Sequence, residues 1–150
     1  MKKTKELTGA LLDYWTAMAG EEWKNAHQLF PTMTLDPTFS GVELRDYPRG
    51  EYGASMLTCV LIPSNPFRQD PQPFCPSIAW EQGGPIIDRE KISTAPLNDD
   101  VWVAFKYEDG LTFDLAIDEP DAAGKTPLEA AMRAFVSSKF GDEVPDQPGA

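Results

Sequence analysis

Hydrophobic positions near the start of the chain recur with a helical period. The stretch TKELTGALLDYWTAMAG, residues 4–20, places its large apolar side chains on one face at the 3.6-residue spacing. These residues are Leu7, Leu11, Tyr14, Trp15 and Met18. Thr4 or Thr8 can cap the start of such a helix, and Gly20 can end it. The pattern therefore predicts an amphipathic N-terminal helix.

A second helix is predicted near the other end of the chain. Thr126 can cap it, Pro127 suits the first helical position, and Glu129 completes a Thr-x-x-Glu capping box. Gly141 can end it. The apolar stripe consists of Leu128, Met132, Phe135, Val136 and Phe140. We expect Phe135, in the middle of this stripe, to matter most for stability.

The intervening hydrophobic pattern favours strands. LTFDLAI, residues 111–117, alternates apolar and other residues, and EDG before it suits a hairpin turn. VWVAFKY, residues 101–107, and PIIDREKI, residues 85–92, are interpreted as two more strands, the latter after a Gly-Gly-Pro turn. The predicted fold class is α+β: an antiparallel three- to four-stranded sheet with the N- and C-terminal helices packed on one face.

Prolines interrupt the region between the first helix and the predicted sheet. Eight of the fourteen prolines fall in residues 31–76, which disfavours long helices and central strands. One short buried strand, SMLTCVLI at residues 55–62, fits among irregular and more mobile loops. We therefore expect a single domain over residues 1–150, with a proline-rich insertion at about 24–76 and a frayed polar tail at 142–150.

Composition narrows the protein class. Hydrophobic residues make up 41% and charged residues 25%, as in globular proteins. No apolar run approaches the ~20 residues of a membrane span. The N-terminus MKKTKELTG lacks the apolar core of a secretory signal. We expect no membrane association and a location in the host cell cytoplasm.

The charge is strongly acidic. The net charge of −11 opposes binding to a nucleic acid duplex, although a helix, three strands and a helix also occur in double-stranded-RNA-binding domains. Eight acidic residues lie between Asp99 and Asp121, against the single base Lys106. This stretch can be a solvated acidic face, or it can mimic nucleic acid toward a basic host protein.

Residues for nucleophilic or metal chemistry are scarce. His27 is the single histidine, which argues against histidine-based triads and multi-histidine metal sites. Cys59 and Cys75 are too few for a disulfide framework and too far apart for a zinc knuckle. We predict no catalytic residue, no metal site and no cofactor.

One candidate site precedes the last helix. AGKTP, residues 123–127, is similar to the end of a phosphate-binding loop, but that motif requires glycine where the chain has Glu119. What remains is Lys125 and Thr126 beside helical N–H groups that favour an anion. The simpler interpretation is an ordinary capped helix start.

The second candidate site is SIAWEQGGPIIDREKI, residues 77–92. Trp80 offers a stacking surface, Gly83 and Gly84 permit close backbone approach, and Arg89 can bind phosphate. We predict that these residues and Arg133 line one anion-binding pocket. Alternatively, the glycines form only a turn, Trp80 is core, and the arginines pair with neighbouring acids. If they lie on a strand, Asp88 and Glu90 share a face and can bind a divalent metal.

Three segments together resemble the NinX family of small proteins from lambdoid phages and prophages. They are KTKELTGALLDYWTA, PSIAWEQGGPIIDREKI and TPLEAAMRAFVSSKFGDEVPD, and residues 24–72 lie outside the resemblance. The chain departs from the family pattern at Tyr14, where tryptophan is usual, and at Ala79, where aspartate is usual. The resemblance singles out Thr8, Asp13, Trp80, Gln82, Gly83, Gly84, Pro85, Arg89, Glu90, Thr126, Met132 and Arg133.

No agreed biochemical activity accompanies that family, so three functions stay open. The first is a non-enzymatic phage accessory protein that sequesters a small anionic, nucleotide-like ligand to counter host defence. Its ligand-binding residues are Trp80, Gln82, Gly83, Gly84, Arg89, Lys125, Thr126 and Arg133. The second is an acidic inhibitor that binds a host protein. The third is a divalent-metal-dependent hydrolase. A homo-oligomer is compatible with all three.

Overall fold

In the residues that the structure describes, the fold combines three α-helices with three small antiparallel sheets. The computed structural model describes residues 1–25, 38–48, 53–67, 69–106 and 119–148. Within these ranges the helices are α1 (Gly9–Gly20), α2 (Trp80–Glu90) and α3 (Pro127–Phe140), with short 3-10 helices at Thr4–Glu6 and Glu22–Asn25. This combination of elements confirms the α+β class.

The eight strands of the described residues form three separate sheets. In the first sheet, β1 (Lys2–Lys3) pairs with β8 (Glu143–Val144). The second has the order β2 (Phe39–Pro48), β3 (Ser55–Pro63), β4 (Gln72–Pro73). The third has the order β5 (Ile92–Pro96), β6 (Trp102–Lys106), β7 (Ala122–Gly124). The tail expected to fray from residue 142 thus contains β8.

Helix α3 is the central element of the core, and its predicted end signals are confirmed. The Thr126 hydroxyl accepts a hydrogen bond from the Glu129 N–H at 3.1 Å, Pro127 is the first helical residue, and Gly141 follows the last turn with φ of 79°. Four stripe residues, Leu128, Met132, Phe135 and Val136, are buried. Phe140 is 40% exposed and contacts Trp15 edge-on.

Helix α1 lies between α3 and the β2–β3 hairpin. It begins at Gly9 after Thr8 and ends at Gly20, where Glu21 adopts a left-handed conformation with φ of 47°. Tyr14 and Trp15 are buried, as is Leu7 just before the helix. Helix α3 covers the β5–β6–β7 sheet, so one hydrophobic core joins both layers. In the part of the chain described, no helix is long and apolar enough to cross a membrane.

The predicted strand at residues 85–92 is wrong. Gly83, Gly84 and Pro85 lie inside α2 rather than in a turn, and strand β5 begins only at Ile92. Glycine and proline disfavour helices, but tertiary contacts outweigh that preference here. Ile86 is fully buried on the core side of α2. Pro85 leaves the Glu81 carbonyl without its helical donor, and Glu81 is exposed to water.

The proline-rich region contains more strand than its sequence indicates. Besides the predicted strand, which corresponds to β3, it forms the ten-residue β2 and the short β4. Strand β3 is central in its sheet. The prolines do not interrupt the pairing, because Pro48 is the last residue of β2 and Pro63 is the last residue of β3, where no inner ladder bond is lost. The predicted strand at 111–117 and the EDG turn before it lie outside the described residues.

Candidate functional site

The turn that leads into α2 is held from two sides by side-chain hydrogen bonds. The Asp13 carboxylate accepts a hydrogen bond from the buried Ser77 N–H at 2.9 Å. The Gln82 side chain accepts from the Cys75 N–H at 2.6 Å and donates to the Pro73 carbonyl at 3.1 Å. Gln82, predicted to bind a ligand, therefore fixes the backbone of its own segment.

The two glycines of α2 have different surroundings. A Cβ atom on Gly83 would lie 2.5 Å from the Pro76 carbonyl oxygen and 2.6 Å from Leu128 Cδ2. A Cβ atom on Gly84 would meet nothing within 4 Å. The close approach that we predicted for this motif exists at Gly83, but it joins α2 to α3 rather than to a ligand.

Arg89 is held by two carboxylates of the protein. Its guanidinium forms a two-point ion pair with Glu22, whose side chain is fully buried, and its Nε donates to Glu90 at 2.9 Å. The group also lies 5.9 Å from the centroid of the Phe135 ring. Arg89 therefore pairs with acidic residues of the protein, which was the alternative to phosphate binding. Glu22 is a partner that the sequence did not indicate.

Burial governs the titration of this ion pair. Loss of solvent raises the pKa of Glu22 above its ordinary 4.5, although hydrogen bonds from Arg89 oppose the shift. Burial alone would lower the pKa of Arg89, but its hydrogen bonds to Glu22 and Glu90 raise it. The arginine therefore stays charged, while the carboxylate of Glu22 is costly to ionise.

Trp80 stands apart from both arginines. As the first residue of α2 it is 56% exposed, beside Ile78 at 65%. Separate cavities adjoin Arg89 and Arg133, and Trp80 lines neither. Neither of these two cavities brings together Trp80, the two glycines and both arginines, which the predicted pocket combines.

Arg133 fixes the base of a different cavity. Its Nε donates to the Leu7 carbonyl at 2.7 Å and its Nη1 donates to the Ala123 carbonyl at 2.9 Å. The Glu129 carboxylate lies 3.4 Å from the same Nη1. These contacts hold the guanidinium between the start of α1 and strand β7.

The cavity above Arg133 is lined by two of the predicted site residues, Lys125 and Arg133, and we name it the α3 cleft. It encloses about 660 Å³ at the N-terminal end of α3. Its lining consists of Lys5, Asp100, Val101, Pro120, Asp121, Ala122, Ala123, Gly124, Lys125, Glu129 and Arg133. A neighbouring cavity of about 310 Å³ shares Lys5 and Asp121 and extends along α3 past Lys106.

The charged residues of the α3 cleft differ in whether they have hydrogen-bond or ion-pair partners among the described residues. The Glu129 carboxylate accepts hydrogen bonds from the Thr8 hydroxyl and the Lys125 N–H, both at 3.0 Å. Asp121 accepts from the Lys106 N–H at 2.6 Å. By contrast, no ion pair within the described ranges engages the exposed side chains of Lys5 or Lys125. Among the described residues of this chain of net charge −11, two cations of the cleft are thus without an ion pair.

The cleft unites some of the predicted site residues and adds one. Lys125 and Arg133 line it, and Thr126 caps the helix beside it. Lys5 was missed, because it belongs to a basic N-terminal stretch with no motif of its own. Its position depends on the 3-10 helix of residues 4–6, where Thr4 N–H donates to the Asp142 carbonyl at 2.9 Å.

Metal-binding geometry is not found among the residues that the structure describes. No group of three or more histidine, cysteine, aspartate or glutamate residues is placed there to hold an ion. The predicted same-face pair of Asp88 and Glu90 is wrong, because in helix α2 these residues lie about 200° apart. Glu90 also pairs with Arg89. Cys59 and Cys75 are buried thiols, and burial raises the pKa of Cys59 well above its ordinary value.

Comparison with known proteins matches most of the chain to one family. A family described as Bacteriophage P22, NinX matches residues 3–139, a span that includes all three helices nearly to the end of α3. It also spans residues 24–72, between the segments that carried the resemblance. None of the curated proteins compared with the chain matches it.

Proposed function

Because the chain belongs to the NinX family of bacteriophage P22, we propose that it is a phage accessory protein that binds a small anionic, nucleotide-like ligand in the α3 cleft. Binding occurs without catalysis and removes the ligand from a host defence pathway. The observation that carries this proposal is an apolar cleft wall together with Lys5 and Lys125, two lysines that no ion pair among the described residues engages.

The size and lining of the cleft suit a nucleotide. Its volume of about 660 Å³ falls within the range of ~300–1,000 Å³ that is typical of small-molecule sites. Val101, Pro120, Ala122 and Ala123 provide apolar surface for a base or sugar. Small side chains predominate in this wall, so a flat ring can approach the backbone of β7.

The polar side of the cleft suits a phosphate. Lys125 precedes the capped start of α3, where helical N–H groups favour negative charge. Lys5 faces the same space from the 3-10 helix of residues 4–6. Arg133 is held by backbone carbonyls, so it contributes positive charge at the base of the cleft without needing to reorganise.

Direct binding measurements test the proposal. Titration calorimetry on the full chain uses mononucleotides, dinucleotides, cyclic nucleotides, inorganic phosphate and pyrophosphate as probes. We expect at least one nucleotide probe to bind, and Lys125→Ala or Lys5→Ala to weaken it by about tenfold or more. Lys139→Ala, an exposed lysine that does not line the cleft, serves as the matched control. Binding that Lys125→Ala and Lys5→Ala leave unchanged, or no binding at all, would refute the proposal.

The role in host defence needs a cellular experiment. The protein is purified from phage-infected cells with an active defence system, and small molecules released on denaturation are identified by mass spectrometry. We expect a phosphorylated compound from the wild-type protein and its loss from the Lys5→Ala/Lys125→Ala double variant. Recovery of equal amounts from both proteins would contradict binding in the cleft.

A second candidate function is inhibition of a host protein through surface contact. The observation that favours it is the exposed pair of Ile78 and Trp80 beside the exposed Glu81, an apolar and acidic surface at the start of α2. Here Trp80→Ala should abolish capture of a host protein, whereas Lys125→Ala should leave capture intact. The opposite pattern would exclude this function. For the hydrolase hypothesis, the described residues offer no supporting observation.

A further inference from the structure

Strand β2 presents one edge on which its peptide groups meet no strand of the described residues. Its sheet has the order β2, β3, β4, so β2 pairs on one side only. The Phe74 N–H donates to the Cys59 carbonyl at 2.8 Å, which shows that Cys59 turns its peptide groups toward β4. Because these groups alternate in direction along a strand, Thr58 and Val60 turn theirs toward β2.

The outward-facing groups of β2 follow from the register. Glu43 lies opposite Val60 and Arg45 lies opposite Thr58, so these two β2 residues turn their peptide groups toward β3. The peptide groups of the residues between and beside Glu43 and Arg45 therefore point away from β3. The outward hydrogen-bonding groups belong to Val42, Leu44 and Asp46, and they are arranged as the edge of an unfinished sheet.

We propose that two copies of this chain associate through β2, with the strands antiparallel about a two-fold axis at Leu44. In this register Leu44 of one copy and Leu44 of the other exchange two backbone hydrogen bonds. Val42 of each copy pairs with Asp46 of the other in the same way. The two sheets then continue into one six-stranded sheet.

The charges on β2 complement themselves in that register. Glu43 and Arg45 form an ion pair within the chain, so their side chains share one face of the strand. About Leu44, Glu43 of each copy faces Arg45 of the other. These are non-hydrogen-bonded positions, at which cross-strand side chains lie closest and opposite charges stabilise the pair. The charge pattern of the β2 edge is therefore complementary to the same edge of a second copy.

The same charges disfavour neighbouring registers. A two-fold axis at residue 43 would place Glu43 against Glu43 of the other copy, and an axis at residue 45 would place Arg45 against Arg45. Like charges directly opposite each other are destabilising. These charges therefore favour the Leu44-centred register over the two nearest registers, so the pairing of the two strands is specific.

The other face of β2 has space for the second copy. Val42 and Leu44 are partly buried against the core on this face. A cavity of about 400 Å³ adjoins them, between Tyr14 and the tail residues Gln147 and Pro148. In the dimer, the Leu44 side chain of the second copy enters this space. The interface therefore combines apolar contact on one face with charge pairs on the other.

A charge-exchange series tests the association on the full chain. We expect sedimentation velocity to show a concentration-dependent monomer–dimer equilibrium for the wild type. Glu43→Arg and Arg45→Glu should each weaken dimerisation by about tenfold or more, because each places like charges opposite. The double variant Glu43→Arg/Arg45→Glu restores both pairs and should return the dimerisation constant to within about threefold of wild type. Melting curves of each variant confirm that it is folded.

Amide exchange provides a second and independent measurement. Protection of the Val42, Leu44 and Asp46 amides should increase with protein concentration, because no strand among the described residues pairs with them in the monomer and the dimer supplies one. The Glu43 and Arg45 amides bond to β3 in either state and should be equally protected throughout. A wild type that stays monomeric at all concentrations overturns the proposal. So does a dimer that the single charge reversals leave unaffected, since it would use another surface.

Discussion

The Asp13 carboxylate accepts a hydrogen bond from the Ser77 N–H across 64 residues of sequence, and both residues are buried. This contact fastens α1 to the turn before α2. Two further contacts, from the Thr8 hydroxyl to Glu129 and from Arg133 to the Leu7 carbonyl, fasten the start of α1 to α3. The three segments that resemble the family are therefore joined to one another by side-chain hydrogen bonds.

Removal of the Asp13 carboxylate should destabilise the protein. Asp13→Ala leaves the buried Ser77 N–H without this acceptor, which costs about 1–3 kcal/mol of unfolding free energy. Chemical denaturation measures the loss. Asp88→Ala, at an exposed position of α2, is the control and should change stability by less than about 0.5 kcal/mol. Equal effects of the two substitutions would show that the contact contributes nothing.

Alanine at the two glycines of α2 should have different effects. Gly83→Ala forces a methyl group against the Pro76 carbonyl and Leu128, so we expect a loss of about 1–3 kcal/mol. Gly84→Ala meets open space, but a residue with a Cβ is disfavoured in helical geometry before Pro85, which offsets the helical gain, so we expect a change within about 0.5 kcal/mol. Thermal melting of both variants checks the difference, and a stable Gly83→Ala would mean that α2 and α3 can separate without cost.

An aspartate at residue 79 should stabilise α2. Ala79 occupies the N-cap with extended backbone angles of −112° and 111°, but it has no side-chain acceptor for the first helical N–H groups. Ala79→Asp supplies one and also places a negative charge at the helix start, for a gain of about 1 kcal/mol. Ala79→Val, which keeps an extended backbone and adds no acceptor, should show no such gain in denaturation experiments.

The buried Glu22 should make stability depend on pH in a defined direction. Its pKa in the folded state is raised above the unfolded value, so the native state binds this proton more tightly. Its contribution is fully present below about pH 4.5 and is lost as pH rises through the folded pKa. Relative to wild type, Glu22→Gln should therefore become progressively more stable between pH 4.5 and neutrality. A difference in unfolding free energy that is constant with pH would contradict this expectation.

Truncation of Phe135 should cost the most of any substitution in α3. Its side chain is fully buried between α1, α2 and the sheet, and Arg89 lies over its ring. Phe135→Ala should lower the unfolding free energy by about 3–5 kcal/mol. Phe140→Ala, at a half-exposed position of the same helix, provides the comparison and should cost clearly less. A loss below about 1 kcal/mol at Phe135 would be inconsistent with its burial.

Elements whose signals are local could be predicted from the sequence, whereas α2 could not. The ends of α3 follow from Thr126, Pro127 and Gly141, each of which acts within a few residues. Helix α2 contains Gly-Gly-Pro and forms because Gly83 fits against Leu128 and Gln82 binds the Cys75 N–H. Those partners lie seven to 45 residues away, and no pattern within α2 reveals them.

The same distinction applies to the candidate site. Lys125 and Thr126 were predicted because a helix start attracts anions wherever it lies. Arg89 and Arg133 were grouped together, but the phase of α2 directs Arg89 toward Glu22, on the far side of α3 from the cleft. Lys5 has no local signal, since its place beside the cleft depends on packing of the 3-10 helix of residues 4–6 against α3 and on contacts of Thr4 with residues 141 and 142.

The pairing of β1 with β8 also sets an order of events during synthesis. Thr4 bonds to Gly141 and Asp142, and Lys2–Lys3 pair with Glu143–Val144, so these contacts of the segment that carries Lys5 form only after residues 141–144 have left the ribosome. A nascent chain that ends at residue 140 can form α1 and α3 but cannot complete the cleft. The proposed ligand site is therefore complete only after residues 141–144 have emerged and paired with the start of the chain.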